Sequence, residues 1–400
     1  MNPAREAVAM VQRSILAVVA VLALLAGPVQ AAPDPYVIPA ILTLTGPAAN
    51  SGQQYAEALR IFEGFANQHG GLRGRPIHFD IHDDGSQPAN AVQLLSGMVA
   101  AHAPVVIGPS PTQTCNALIP LAATNGPLVY CFTPGSLPPR NGYVFAAAMA
   151  LSQFDRGMIR YLRLKGYRRL AIISSTDASG QTNDAATREV LALPENRDLS
   201  ISTYEHINPS DISAAAIAAH IKNSDAQAIV AWIAGPTFGT VLRALRDAGV
   251  DLPLTANGAN TNPDTMLQFE SYLPTNMPLP GFPFMASGTL SKTPLQRPVN
   301  DLLTAYRAAG SKLSPGTGYA WDAAAIILAG LRQIGPQATA EQLRDYILGL
   351  RRFAGIDGIY DFSSGDQHGL SDANVVMVAW DPKTKDWLPL SRLGSIPLKP

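Results

Sequence analysis

The sequence predicts an α/β protein of two doubly wound lobes with mostly parallel sheets. Three observations carry that prediction. Short apolar runs alternate with stretches of helical periodicity. The loops between them are a few residues of Gly, Ser, Thr, Asn and Pro. The alternation lapses near residue 150 and then restarts, as two similar units would. The clearest unit is VVIGPSPTQTCNALIPLAATNGPLVYCFTPGS, residues 105–136. Val105, Val106 and Ile107 form a strand, and Ala117, Leu118, Leu121 and Ala122 recur at helical spacing. Asn125-Gly126-Pro127 stops the helix, and residues 128–132 make the next strand. Strand, helix and strand in that succession imply parallel neighbours.

Upstream, residues 1–31 stand apart. Arg5 and Arg13 precede an uncharged apolar run over 15–27, and Val29-Gln30-Ala31 offers small residues for cleavage. This is the pattern of a secretory signal peptide, and the run is short for a membrane span of about 20 residues. No Cys follows the cleavage point, which speaks against a lipid anchor. The net charge of −1 and the lack of a basic run exclude nucleic acid as a partner. Cys115 and Cys131 are the only cysteines. Export permits a disulfide between them, which is the expectation; two small buried thiols are the alternative.

The remaining elements follow in order. Residues 36–44 form a strand, and Ser51 with Gln54 reads as a capping box before a helix whose Tyr55, Leu59, Phe62 and Ala66 share a face. Ile77, Phe79 and Ile81 alternate with His78, Asp80 and His82 as a half-exposed strand. A helix with Leu94, Leu95 and Met98 follows. Beyond 150 come a helix (Phe154, Met158, Tyr161, Leu162), a strand at 170–174, a loop Asp177-Ala178-Ser179-Gly180 and a further helix. Ile201, Thr203 and Glu205 mark a strand, Ile212, Ala216 and Ile221 a helix, and residues 228–233 a buried strand. Gly235-Pro236 then opens a helix with Pro in its favoured first turn. Residues 252–256 form another strand, and a Pro-rich stretch at 273–283 separates it from helices at 298–309 and 319–334. The apolar runs 359–362 and 375–380 lie too close together for a crossover helix and suggest a terminal pair of strands. The chain thus crosses between lobes near 150, near 285 and near 350. The expected division is 32–148 with 286–352 for the first lobe and 149–285 with 353–400 for the second.

Ligands of such sheets bind outside the carboxyl ends of the strands and in clefts between lobes. Four loops lie there: 44–52, 108–114, 176–181 and 234–238. They are rich in hydroxyls and glycine, and Asp177 is their one charge. Helix beginnings offer unpaired N–H groups, so they hold an anion without Arg or Lys. Ser51, Ser110, Thr112, Ser136 and Ser179 add hydroxyls, each of which also serves as an ordinary cap or turn residue. Tyr319 and Trp321 either line the cleft or pack. No nucleophile elbow, zinc helix motif, phosphate loop or dinucleotide fingerprint occurs, so no enzyme activity and no cofactor are expected. His78, Asp80, His82 and Asp84 read as a solvated strand face rather than a metal site.

The opening LTLTGPAANSGQQYAEALRIFEGFANQHGGLRGRPIHFDIHDDGSQPANAV, the loops VVIGPSPT and FTPGS, and the segments GTVLRALRDAG, YAWDAAAIILAGL and IYDFSSGDQHG resemble, in that order, the periplasmic solute-binding proteins of ABC transporters. The resemblance is to the type of the leucine/isoleucine/valine-binding protein and spans nearly all of the chain after residue 31. It implies two lobes joined by three hinge strands, closing on a small ligand in the periplasm and docking on a membrane permease; a monomer is the default expectation. It places the carboxylate grip on Ser110, Pro111 and Thr112 and on Ser136 and Leu137; the reading of the loops adds Ser51, Ser179, Gly180, Gly235, Pro236 and Asn257 around the rest of the site, with Tyr319 as the cleft candidate. Amino-acid binders of the family carry a Tyr where this chain has Ser179, another where it has Ala234-Gly235, and an acid where it has Asn257-Gly258. A buried ammonium without a counter-charge is costly. The expected ligand is therefore a carboxylate without the amine, aromatic or aliphatic. Amino-acid binding and a sensory receptor are the alternatives.

Overall fold

The computed structural model describes residues 33–123, 126–314 and 316–399. The expected leader, residues 1–31, and Asn125 lie outside the described residues. Five parallel strands make the first sheet: β1 (Tyr36–Leu42), β2 (Ile77–Asp83), β3 (Val105–Ile107), β4 (Leu128–Cys131) and β5 (Val144–Ala146), in the order β2-β1-β3-β4-β5. Alternate residues feed two separate cores. Ile38, Ala40, Leu42, Ile107 and Tyr130 face α1 (Ala49–Gln68), whereas Ile41, Val106 and Val129 face α2 (Pro88–Ala100) and α3 (Thr112–Ala122). Burial on both faces is why β3, β4 and β5 are continuous apolar runs, whereas the edge strand β2 alternates.

The second sheet repeats the plan. Its strands β6 (Arg169–Ser175), β7 (Ser200–Ile207), β8 (Ala228–Trp232) and β9 (Leu254–Ala256) run parallel in the order β7-β6-β8-β9. The helices accompanying it are α4 (Leu151–Leu164), α5 (Ala178–Leu191), α6 (Ala215–Asn223), α7 (Gly235–Asp247) and α8 (Pro263–Phe269). One glycine recurs in both units for one reason. A Cβ on Gly52 would lie 1.8 Å from the Thr43 carbonyl oxygen, and a Cβ on Gly180 would lie 1.8 Å from that of Ser175. In each lobe the helix after the leading strand thus sits directly against the strand exit, which only glycine permits.

The sequence reading needs correction at the chain's end. Residues 359–362 and 375–380 do not pair with each other. β10 (Leu279–Gly281), inside the Pro-rich stretch, pairs antiparallel with β13 (Val376–Asp381), which also pairs with β14 (Asp386–Pro389). The short β11 (Phe353–Ala354) takes β12 (Ile359–Tyr360) as its partner. β10 stands at the edge of its sheet, where Pro280 removes no inner ladder bond. α9 (Gln296–Ala309) and α10 (Thr317–Ile334) return to pack on α1, and α11 (Ala340–Gly349) starts with a capping box from Thr339 and Gln342.

Two local expectations also differ. α1 begins at Ala49, with Ala48 before it, so Ser51 lies in the first turn and donates to the Ala48 carbonyl at 3.0 Å rather than capping. Ile212 lies ahead of α6 and is 97% exposed, although its spacing matched the helix. Cys115 and Cys131, both fully buried, are joined by a disulfide with their Cα atoms 6.0 Å apart.

Candidate functional site

Each of the four helices α1, α3, α5 and α7 begins within a few residues of a strand's carboxyl end. They differ in what meets their first N–H groups. α5 is capped: the Asp177 carboxylate accepts from Gly180 N at 2.9 Å and from the Ser175 hydroxyl at 2.5 Å. Those two bonds hold its pKa below the usual carboxylate value. α1, α3 and α7 follow Ala48, Pro111 and Ala234 and have no side-chain cap. The first-turn N–H groups of α3 meet no side chain, those of α1 are open after Ala49, whose N–H donates to the Gly46 carbonyl, and Pro236 removes one from α7.

The expected site residues divide accordingly. Ser51, Ser110, Pro111, Thr112, Ser136 and Leu137 gather at the carboxyl edge of the first sheet. Ser179, Gly180, Gly235, Pro236 and Asn257 gather at that of the second. Ser110 is 8% exposed, and its Oγ has no hydrogen-bond partner. Thr112 and Thr133 join hydroxyls at 2.6 Å, and Thr133 Oγ1 also accepts from Gly135 N. Ser136 is fully buried and its hydroxyl donates to Asn116 Oδ1 at 2.7 Å, so that proton is already committed. Leu137 is 79% exposed. In the second group Ser179, Gly235 and Pro236 are exposed, Gly180 is buried with its N–H on Asp177, and Asn257 Oδ1 accepts from Ala259 N.

A column of rings connects the two halves. Phe154 of α4 packs against Phe282 at 5.5 Å between centroids, and Phe282 packs edge-on to Tyr319 at 5.5 Å. Tyr319 stacks on Tyr55, which meets Phe132 just beyond β4. Tyr319 is half-buried in this column. Trp321 is buried against Phe62 and Phe65 and belongs to the core. Tyr55, Phe132 and Phe282 are buried in the same core as Trp321, and an aromatic at helical or strand spacing carries no mark separating a pocket wall from packing.

Behind the column lie two buried acids. The Asp322 carboxylate accepts from Ile356 N, Asp357 N and the Tyr360 hydroxyl, and burial raises its pKa to about 6. Asp357 lies against Gly318, and neither of its carboxylate oxygens has a partner. Burial, with the Asp322 charge beside it, pushes it well above the carboxylate range. On β2, His78 pairs with Glu63 and His82 with Asp80. No group of three metal-ligating side chains occurs among the described residues.

Two lobes of like topology, with uncapped helix starts at the carboxyl edges of their sheets, match a known family. The model of the periplasmic binding proteins fits residues 35–385. The chain belongs to the periplasmic binding protein family. The structure of a periplasmic binding protein type 1 from Bordetella pertussis Tohama I superposes with a TM-score of 0.69 at 20% identity, covering 89% of this chain and 99% of that one. An R. palustris ABC transporter solute-binding protein in complex with benzoate superposes at 0.67 with 17% identity, covering 91% and 97%. Among curated proteins, the leucine-, isoleucine-, valine-, threonine- and alanine-binding protein of Pseudomonas aeruginosa is 24% identical over 213 residues. That stretch is 52% of this periplasmic binding protein and 56% of the relative.

Proposed function

We propose that this periplasmic binding protein is the extracytoplasmic receptor of an ABC importer and captures a small carboxylate lacking an α-amine, aromatic or aliphatic. The supporting observation is the first-lobe edge. There α1 and α3 present uncapped N–H groups, and beside α3 lies the unpartnered Ser110 hydroxyl. The amides of Ser110, Thr112 and Ser136 grip the carboxylate, and Tyr319 flanks the tail. Residues 32–148 with 286–352 form one jaw, on which residues 353–370 pack through Asp322, Phe145 and Ser136, and 149–285 with most of 371–400 form the other, working as a monomer in the periplasm and handing ligand to a membrane permease. A receptor for a signalling partner would use the same cleft.

The second reading is an amino acid. It is favoured by the exposed Asp177 carboxylate at the second-lobe edge, which offers a counter-charge for an ammonium, and by the name of the Pseudomonas relative. Thermal shift with benzoate, short aliphatic acids and amino acids separates the two. Stabilisation of a few kcal/mol at saturating acid is expected under the first reading. A response limited to leucine, isoleucine or valine supports the second and contradicts the first.

A further inference from the structure

A helix face turned to the interior is ordinarily apolar. That of α5 is not. Among its described residues the buried ones are Gly180, Asn183, Asp184, Thr187 and Val190, a helical stripe with three polar members. Asp184 is satisfied by the Tyr204 hydroxyl and by His206. Asn183 Oδ1 has no hydrogen-bond partner among the described residues. Thr187 donates at 3.3 Å to one oxygen of Asp155 in α4, and the other oxygen, Oδ1, also has none. Asn183 and Asp155 are each 1% exposed. Trp232, at the carboxyl end of β8, shares a core with Met158 of α4 and Val190 of α5, and its indole N–H is a third buried group without a partner. Met158 accepts the Thr255 hydroxyl on β9, so Asp155, almost a turn nearer the start of α4, lies toward the same carboxyl edge. Native interiors pair such groups, and three in one lobe call for a guest that pairs them. Ser179, Asn183 and Thr187 follow at four-residue intervals on one side of α5, leading inward from the exposed start of that helix.

We infer that Asn183, Asp155 and Trp232 form a polar recess in the second lobe, entered past Ser179, that receives the end of the ligand opposite its carboxylate, and that this end carries a hydroxyl. The inference rests on the carboxylate reading above and adds the chemistry of the far end. A hydroxyl both accepts and donates. It takes the Trp232 N–H and gives its own proton to Asn183 Oδ1, which a bare hydrocarbon end leaves unpaired. Burial, with the Glu189 charge adding to it, pushes the Asp155 carboxyl well above the usual carboxylate range. An uncharged acid at that place suits an uncharged guest.

Calorimetry tests this with two pairs of acids that carry the hydroxyl at different distances from the carboxylate: benzoate with 4-hydroxybenzoate, and 3-phenylpropionate with 3-(4-hydroxyphenyl)propionate. In at least one pair the hydroxylated acid is expected to bind about tenfold more tightly than its parent. That ratio is expected to fall to near one in Asn183→Leu and in Trp232→Phe. Equal affinities within both pairs, as for a recess that holds only solvent, overturn the inference and leave the carboxylate reading standing. A ratio that both variants leave intact does the same. Failure of all four acids to bind overturns the carboxylate reading itself, and the recess with it. Asn183→Leu makes the buried face of α5 more apolar at similar volume, so it is expected to fold, which circular dichroism checks for both variants. The comparison within each pair in the wild type depends on neither.

Discussion

Thr112 and Thr133 share a hydrogen bond of 2.6 Å between their hydroxyls, tying the first turn of α3 to the loop that leaves β4. Two further ties follow in register, the Cys115–Cys131 disulfide and the Asn116–Ser136 hydrogen bond. The two loops proposed to grip the carboxylate are thus cross-linked before any ligand arrives. A site set in advance spends less of its binding energy on ordering itself.

Removing the first tie should cost stability and affinity together. Thr133→Val loses the bond to Thr112 and the bond from Gly135 N, and is expected to destabilise by about 1–2 kcal/mol; Thr112→Val loses one bond and about half as much. Denaturant midpoints measure the first quantity and ligand titration the second. Unchanged ligand affinity in both variants would place the site elsewhere.

The disulfide closes a loop with a sequence separation of 16. Its loss in Cys115→Ala with Cys131→Ala is expected to cost about 3 kcal/mol on the chain-entropy account. Hydrogen exchange should quicken most in 108–116 and 131–137. Uniform acceleration across both lobes would contradict a local role.

Asp357 gives a pH dependence of definite sign. Its folded-state pKa is raised, so between the unfolded value near 3.9 and the raised one the folded chain keeps a proton that the unfolded chain releases. Its contribution to stability is present at low pH and is lost as pH rises through the folded value. Asp322, raised to about 6, acts in the same direction. Asp357→Asn should therefore melt roughly 2–4 °C above wild type at pH 7.5, and the gain should shrink at pH 4.5.

Tyr319 forms part of the ring column, so Tyr319→Ala should weaken an aromatic acid by about 1 kcal/mol more than an aliphatic one of similar size. Competition calorimetry compares the two. Equal losses would take Tyr319 out of the ligand's surroundings.

Much of this was legible in the residues. Strand and helix alternation places β1 to β4 and β6 to β9, with unbroken apolar runs such as residues 228–232 where a sheet is buried on both faces; β5 went unread because residues 143–150 show no clear period. The disulfide was readable from two cysteines at the same edge of one crossover. What failed depends on contacts distant in sequence. Pro280 looked like a linker because nothing local reveals that residues 376–381 wait beside it as a partner strand. The Ser136 hydroxyl looked available until Asn116, 20 positions away, proved to take its proton. His368 resembled any scattered histidine, since the backbone oxygens its ring meets lie more than 200 residues upstream.

The central claim is that the first lobe grips a negative charge with backbone N–H groups. Calorimetry of the best-binding acid against its own amide, benzoate against benzamide for instance, tests it directly. The account expects the amide to bind at least about tenfold more weakly. Equal affinity for the two would contradict it.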